Sequence, residues 1–161
     1  MEELRIGHGW DVHRFQEGRP LVLCGLTIPH KAGLLGHSDA DAPVHALIDA
    51  LLGALALGDI GTFFPDTDPA WKGANSMELL KKTLLLPPFP QWEIVNIDLT
   101  IVTQEPKMLP HIPAMRENLS HALSVALSQV SIKAKTNERL GYLGAGEALE
   151  SSAVVLLKKR S

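Results

Sequence analysis

The segment Glu93-Ile94-Val95-Asn96-Ile97-Asp98-Leu99-Thr100-Ile101-Val102 decides the fold class, because its apolar residues alternate with polar ones as in a strand with one buried face. Helical spacing follows from about residue 112 to residue 127, and residues 130–135 have the pattern of a further strand. A strand, a helix and a strand in this order form a candidate split unit. We therefore predict an α+β fold, a ferredoxin-like two-layer sandwich with helices on one face of a mostly antiparallel or mixed sheet.

The remaining predicted elements lie on both sides of this unit. Residues 4–15 and 148–158 have strand patterns, and residues 21–28 indicate a strand pair or hairpin around Gly25. Ser38 and Asp39 are typical of a helix start, and the apolar residues after them keep helical spacing until Gly58. Residues 59–69 indicate a loop, and a second helix is predicted from Asn75 or Ser76 to about residue 85.

Length and composition indicate a single globular domain covering residues 1–161. Apolar residues make up 45% and charged residues 20%, and the net charge of −3 argues against a nucleic-acid partner. Cys24 is the one cysteine of the sequence, so no intrachain disulfide can form, which fits a reducing cytoplasm and a buried thiol. The first residues lack the pattern of a signal peptide, and the most apolar stretch is too short to span a bilayer. We expect a cytoplasmic protein with no membrane partner.

A candidate metal site begins with Asp11 and His13, which point to the same face of a strand because they are two residues apart. His45, near the start of the predicted helix, is the best candidate for a third donor. Three protein ligands and one open position are typical of a catalytic zinc site. One carboxylate and two neutral imidazoles would leave a net positive charge, which favours an anionic fourth ligand such as phosphate. The spacing alone leaves open a chance pairing and an ordinary surface or hydrogen-bonded histidine.

Two carboxylates flank His45 on its predicted helix. Asp41 and Asp49 are four residues before and after it, so either can accept the second ring N–H and orient the imidazole. The alternative is that both carboxylates only make the helix surface soluble.

Several loop residues have the chemistry to hold phosphates and hydroxyls. His37 and Ser38 would hold a phosphate at a helix N-terminus, unless Ser38 is a plain N-cap. Lys107 lies on a proline-rich loop and would contact a phosphate or remain solvated. Thr136 can bind phosphate oxygens, and Glu138 can hold a hard cation such as Mg²⁺. The carboxylates of residues 59–61 and 64–66 would accept bonds from substrate hydroxyls or simply form Asx turns.

Taken together, these segments resemble the 2-C-methyl-D-erythritol 2,4-cyclodiphosphate synthase family of the non-mevalonate isoprenoid pathway. The resemblance covers nearly the whole chain in the same order. The matching segments are Arg5-Ile6-Gly7-His8-Gly9-Trp10-Asp11-Val12-His13, His37-Ser38-Asp39-Ala40-Asp41, His45-Ala46-Leu47, residues 49–54 and 57–61, Phe64-Pro65-Asp66-Thr67-Asp68-Pro69, residues 106–112, and residues 133–141.

The resemblance implies a homotrimer of ferredoxin-like subunits with active sites between neighbours. It implies Zn²⁺, or another divalent cation, on Asp11, His13 and His45, and Mg²⁺ or Mn²⁺ bridging the substrate diphosphate with help from Glu138. The catalytic residues that it implies are Asp11, His37, Lys107, Thr136 and Glu138. The substrate-binding residues that it implies are His37, Ser38, Asp59, Ile60, Gly61, Phe64, Pro65, Asp66, Thr67, Asp68, Thr103, Gln104, Glu105, Pro106, Lys107, Met108, Leu109, Ala134, Lys135, Thr136, Asn137, Glu138 and Tyr142.

The implied reaction is that of a phosphorus–oxygen lyase. In 4-diphosphocytidyl-2-C-methyl-D-erythritol 2-phosphate, an oxygen of the 2-phosphate attacks the β-phosphorus, and CMP leaves as the cyclic diphosphate forms. The nucleophile is already an anion, so charge neutralisation and alignment matter more than a strong base. The residues alone leave two alternatives open, a metal- or nucleotide-binding protein without turnover and a purely structural metal.

Two positions depart from the family pattern. Many relatives have an arginine where this chain has Ala145, in a stretch associated with a central trimer cavity that holds isoprenoid diphosphates. The resemblance therefore gives no reason to expect that this chain binds a diphosphate in that cavity. Lys135 stands where a threonine is usual, and it would contact phosphate or point to solvent.

Overall fold

A mixed sheet forms the frame of the computed structural model, which describes residues 3–160. Its strand order is β4-β1-β7-β5-β6; β5 and β6 are parallel, and the other neighbouring pairs are antiparallel. A separate hairpin pairs β2 with β3. The strands are β1 (Leu4–Glu17), β2 (Leu21–Leu23), β3 (Leu26–Ile28), β4 (Ala32–Leu34), β5 (Trp92–Val102), β6 (Val130–Lys135) and β7 (Ala148–Lys159).

The helices pack against one face of this sheet. They are α1 (Ala42–Ala54), α2 (Ile60–Phe63), α3 (Ser76–Leu85), α4 (Ile112–Leu123) and α5 (Gly141–Gly144), with short 3₁₀ turns at Pro69–Trp71, Phe89–Gln91, Leu109–His111 and Leu127–Gln129. Strand pairing brings Gly9, Ala153, Leu99 and Ile132 into one row across the sheet, and all four are buried. The predicted α+β fold, with helices and a mixed sheet, is therefore confirmed.

Two glycines allow α1 to approach β1 closely. A Cβ atom on Gly9 would lie 1.9 Å from the carbonyl oxygen of Ala46, and one on Gly7 would lie 1.9 Å from that of Ala50. Neither position has room for a side chain, because the obstacle is helix backbone. The close approach holds the first turn of α1 beside the middle of β1.

Most predicted elements are confirmed, including the long first strand, the hairpin around Gly25, the helix capped by Asn75 and the last three strands. Cys24 is a free, fully buried thiol, and burial raises its pKa. Strand β4 was not predicted. The fourth helix ends at Leu123 rather than near residue 127, because Ser124 adopts a left-handed conformation that closes the helix.

The predicted start of the first helix is wrong. Ser38 and Asp39 lie in a loop, and Ala40 has φ +57°. The helix begins at Ala42, because the Asp41 carboxylate accepts the N–H of Val44 as N-cap and Pro43 suits the first turn. Ser38 is therefore neither an N-cap nor part of a helix N-terminus. Residues 59–69 are also not loop throughout, since α2 and a 3₁₀ turn lie within them.

Candidate metal centre and adjoining pocket

Asp11, His13 and His45 converge as the spacing predicts. One donor atom from each residue lies within 4.8 Å of the others. Asp11 Oδ2 is 2.9 Å from His13 Nε2 and 3.0 Å from His45 Nδ1, and the two nitrogens are 3.3 Å apart. Two imidazole nitrogens and a carboxylate oxygen are the donors that zinc and related divalent cations take in proteins. The donor set therefore fits a metal ion.

Regular elements place these three side chains. Asp11 and His13 lie on the helix-facing side of β1, the same side as Gly7 and Gly9. His45 lies in the first turn of α1, which those glycines allow close to the strand. The side chains of Asp11, His13 and His45 are only 24%, 18% and 12% exposed, so the cluster is largely shielded from solvent.

Both imidazoles have a fixed partner on the side away from the cluster. His13 Nδ1 lies 2.7 Å from the Leu35 carbonyl oxygen, which can only accept, so Nδ1 donates and Nε2 faces the cluster. His45 Nε2 lies 2.8 Å from Ser76 Oγ and 3.1 Å from Ser38 Oγ, which leaves Nδ1 towards Asp11. Each ring thus presents one nitrogen to the candidate metal position.

The predicted partners of His45, Asp41 and Asp49, have other roles. The fully buried Asp41 carboxylate accepts backbone N–H groups of Cys24, Gly25 and Val44. Asp49 accepts the N–H of Ile60, at the start of α2. The prediction that either carboxylate orients His45 is therefore wrong, because both accept backbone N–H groups and the outer nitrogen of His45 faces Ser38 and Ser76 instead.

Electrostatics at the cluster favour a negative Asp11. Burial raises its pKa, but hydrogen bonds from His13 and His45 outweigh burial and bring the pKa down to about 2. For His13, burial lowers the pKa, and the hydrogen bond to Asp11 with the charge on that carboxylate raises it above the usual histidine value. Without a cation, the cluster therefore holds a proton readily.

A cavity of about 480 Å³ opens directly beside the cluster. The Phe64 and Trp71 rings meet at its wall with centroids 5.1 Å apart. It is also lined by residues that the sequence did not assign to the substrate pocket, namely Gly36, Asp49, Trp71 and Leu79. Gly36 directly precedes His37 in the sequence, whereas Trp71 and Leu79 come from segments that only folding brings to the cavity. The predicted residues on its wall are Asp11, His13, His37, Ser38, His45, Ile60, Gly61, Phe64, Pro65 and Asp66.

Three predicted residues of this region lie outside the cavity wall. The Asp59 carboxylate caps α2 by accepting from the N–H and hydroxyl of Thr62, and Asp68 accepts the N–H of Ala70. The Asp59 contacts match the Asx-turn alternative for that carboxylate, and Asp68 forms a similar local contact. Thr67 is exposed between them.

A second, smaller pocket of about 200 Å³ lies where β5 and β6 end. Its wall consists of predicted residues, namely Thr103, Gln104, Pro106, Lys107, Met108, Leu109, Ala134, Lys135 and Thr136. Glu105, Asn137, Glu138 and Tyr142 lie outside that wall. Glu138 accepts the hydroxyl of Thr136 at 2.8 Å, and Tyr142 donates to Glu150 at 3.2 Å.

The two pockets lie at the same end of the sheet but on different strands. Asp11 is level with Ser151, Ser151 with Ile101, and Ile101 with Ala134. Three strand spacings therefore separate Asp11 from Ala134, a backbone distance of about 14 Å. Among residues 3–160, none lines both pockets.

Within residues 3–160, the helices lack the length and apolar character that crossing a bilayer requires.

Comparison with known proteins covers almost the whole chain. The YgbB family model matches residues 4–158. The 2-C-methyl-D-erythritol 2,4-cyclodiphosphate synthase of Trichlorobacter lovleyi is 55% identical over 154 residues, 96% of this chain and 98% of that protein.

Solved structures give the same result. The bifunctional IspDF from Campylobacter jejuni matches with a TM-score of 0.95 and 42% identity over all of this chain, which spans 44% of that longer protein. A 2C-methyl-D-erythritol-2,4-cyclodiphosphate synthase in its CDP-bound form matches with a TM-score of 0.87 and 44% identity, over 95% of this chain and 99% of that one. The chain belongs to the YgbB family, together with the cyclodiphosphate synthases that it resembles in sequence and fold.

Proposed function

We propose that this chain is a single catalytic domain that converts 4-diphosphocytidyl-2-C-methyl-D-erythritol 2-phosphate to 2-C-methyl-D-erythritol 2,4-cyclodiphosphate with release of CMP. The observation that carries the proposal is the convergence of Asp11, His13 and His45 on the wall of a 480 Å³ cavity, in a chain 55% identical to a synthase of that name. The reaction forms one P–O bond and breaks another within one molecule, and no water is consumed.

Zn²⁺ is the cation that we propose for the three-residue cluster, and Mg²⁺ or Mn²⁺ for the substrate diphosphate. When bound, these cations would neutralise phosphate charge and orient the reacting oxygens. His37 and Ser38 lie on the cavity wall beside the cluster, where they would bind the 2-phosphate. Asp66 and the backbone of Gly61 would hold the erythritol hydroxyls on the opposite wall. The ring pair of Phe64 and Trp71 would limit the access of water.

The second pocket is the proposed cytidine site, since a relative was solved in a CDP-bound form. Lys107 is exposed at its edge and would contact phosphate. Thr136 and Glu138 are already hydrogen-bonded to each other, which would bring a hydroxyl and a carboxylate together at the diphosphate. Lys135 also lines this pocket, which favours phosphate contact over a purely solvated role.

A homotrimer of ferredoxin-like subunits, with each site shared between neighbours, completes the proposal. The face of the sheet opposite the helices exposes large apolar side chains, with Ile6 71%, Trp10 48% and Val154 39% accessible. Exposed apolar surface of this kind is typical of a face that another subunit covers. Ala145 is exposed and uncharged, so it offers no cation to a diphosphate in a central cavity. We place the protein in the cytoplasm, without nucleic-acid or membrane partners.

Turnover is tested by measuring CMP release from the cytidyl substrate with Zn²⁺ and Mg²⁺ present, with ³¹P NMR to identify the cyclic diphosphate. Glu78→Gln is the control, because Glu78 is exposed on α3 and its side chain forms an ion pair with Lys81 on the same helix. We expect wild type and Glu78→Gln to release CMP and Asp11→Ala to be inactive. Release no faster than in Asp11→Ala would leave only a binding protein.

Site sharing is tested with mixed trimers of two inactive variants, Asp11→Ala and the double variant Lys107→Ala/Thr136→Ala. If sites lie between neighbours, every mixed trimer contains one intact site, so random mixing restores about a quarter of wild-type activity. If each site lies within one chain, mixing restores none.

A further inference from the structure

Ser76 is a buried serine that lies behind the candidate metal cluster. It is the first residue of α3, is fully buried, and its Oγ is 2.8 Å from His45 Nε2. Asp39 holds it from the other side, because one carboxylate oxygen accepts the Ser76 N–H at 2.9 Å and the other accepts the Ser76 hydroxyl. Asp39, Ser76 and His45 thus form a hydrogen-bonded chain that ends at a proposed metal ligand.

The direction of this chain follows from its members. A hydroxyl has one hydrogen to donate, and the Asp39 oxygen can only accept, so the Ser76 hydrogen points to Asp39. The Ser76 oxygen is then left to accept, and the N–H on His45 Nε2 is the donor that faces it. A neutral His45 ring with its hydrogen on Nε2 presents a lone pair on Nδ1 to a cation at the cluster. Without a cation, the Asp11 carboxylate, 3.0 Å from Nδ1, competes for a hydrogen at that atom.

Ser38 does not fix this direction. Its Oγ also reaches His45 Nε2, at 3.1 Å, but its other contact is the N–H of Ala40, which donates to it. The Ser38 hydrogen therefore has no carboxylate to occupy it and can point towards the ring. The two serines therefore differ because the Asp39 carboxylate accepts the hydrogen of Ser76 and leaves that of Ser38 free to turn.

We propose that Asp39 and Ser76 are positioning residues that hold His45 in the tautomer and orientation required of a metal ligand. The proposal deepens the proposed metal site and rests on it. The partner comes from a helix 31 residues further along the chain than His45, which explains why helical spacing suggested Asp41 and Asp49 instead. Partners of this kind typically contribute about tenfold to hundredfold in metal affinity.

The first experiment measures the affinity for Zn²⁺ by competition with a chromophoric chelator, without any substrate. Ser76→Ala removes the acceptor, and Asp39→Asn keeps its shape but provides an amide that can donate to Ser76 and reverse the chain. We expect both to weaken Zn²⁺ binding by about tenfold to hundredfold. Ser120→Ala is the matched control, because it removes a buried serine hydroxyl that donates to the Val125 carbonyl far from the cluster. It should bind Zn²⁺ as wild type does.

The second experiment reads the tautomer directly, by long-range ¹H–¹⁵N NMR of metal-free Asp11→Ala at a pH where the rings are neutral. Asp11→Ala removes the carboxylate that lies 3.0 Å from His45 Nδ1 and competes there for the ring hydrogen. Asp11→Ala should have the His45 hydrogen on Nε2, and the double variant Asp11→Ala/Asp39→Asn should move population to Nδ1. This readout separates positioning from a merely structural role and does not depend on turnover. If Asp11→Ala holds the hydrogen on Nδ1, or if folded Asp39→Asn binds Zn²⁺ with wild-type affinity, the proposal is overturned.

Discussion

The metal cluster and the second pocket are built in opposite ways. Asp11, His13 and His45 lie on a long strand and a helix, are mostly buried, and have partners within the chain. The second pocket is built from residues 103–109 and from the end of β6, and Lys107, Lys135 and Thr136 on its wall are exposed. The comparison teaches that one chain brings together the three donors of the candidate metal site, whereas the second pocket, the proposed nucleotide site, stays open to solvent in a single chain.

Loss of a cluster ligand should have the largest effect. The structural change should be confined to the metal cluster. His45→Ala removes one of three donors, so we expect Zn²⁺ binding to be lost and CMP release to fall by about a thousandfold or more. Metal content and CMP release check this. The chain should remain folded by circular dichroism. An unfolded or dissociated His45→Ala protein would instead support a structural metal and remove the catalytic interpretation.

A change in the packing of α1 against β1, beneath the cluster, should have the next largest effect. Gly9→Ala places a methyl group 1.9 Å from the Ala46 carbonyl oxygen, so α1 must move away from β1. We expect the free energy of unfolding to fall by about 3 kcal/mol. Denaturant unfolding measures this, and Zn²⁺ affinity should fall with it, because His45 moves with α1.

Gly53→Ala is the matched control for that prediction. Gly53 is an exposed residue of the same helix, and a Cβ atom there meets its nearest atom, the His8 carbonyl oxygen, at 4.0 Å. This variant should be more stable by up to about 1 kcal/mol, because alanine favours helix. An equal loss of unfolding free energy in Gly9→Ala and Gly53→Ala would contradict the argument that α1 packs closely on β1 at Gly9.

The contrast between a site on regular elements and a pocket built from loop residues also explains what could be predicted from the sequence. Alternation along a strand placed Asp11 and His13 on one face, and helical spacing placed His45, because regular elements repeat at a fixed period. The contact between Ser76 and His45 could not be predicted, since it joins two helices through tertiary packing. Nor could the start of α1, where Asp41 caps the helix and the Asp39 carboxylate instead accepts the N–H of Ser76 in α3. Loop residues such as Asp59 were assigned by resemblance, and their geometry depends on local turns.

The second pocket should respond to a change that leaves the cluster intact. Thr136→Ala removes a hydroxyl that contacts Glu138 at 2.8 Å, so we expect CMP release to fall by about tenfold to thirtyfold, as for a lost hydrogen bond to a charged group. Zn²⁺ affinity should stay at the wild-type value. Thr136→Ser keeps the hydroxyl and should retain most activity. A parallel loss of Zn²⁺ in Thr136→Ala would mean that the two regions are not separate.

A change in pH should have the smallest effect. It should also distinguish the metal cluster from the second pocket. Asp11 raises the pKa of His13 above its usual value of about 6.5, so in the metal-free protein this ring keeps its proton to a higher pH than an ordinary histidine does. Zn²⁺ must displace that proton, so its apparent affinity should rise about tenfold per pH unit up to the raised pKa and then level off. Asp11 itself contributes nothing there, because its pKa of about 2 keeps it ionised. Chelator competition between pH 5.5 and 8.5, a range set around the usual histidine value of about 6.5, measures the slope.

Asp11→Asn provides the decisive variant for this pH effect. Without the negative charge, His13 loses the hydrogen bond and the attraction that raise its pKa, while burial continues to lower it. The inflection in Zn²⁺ affinity should therefore move to lower pH, although the affinity at every pH is weaker because a ligand has changed. The described residues that line the second pocket include no histidine, so cytidine binding should not follow this curve. An inflection that stays in place in Asp11→Asn would mean that another group, and not the pair of Asp11 and His13, sets the proton competition.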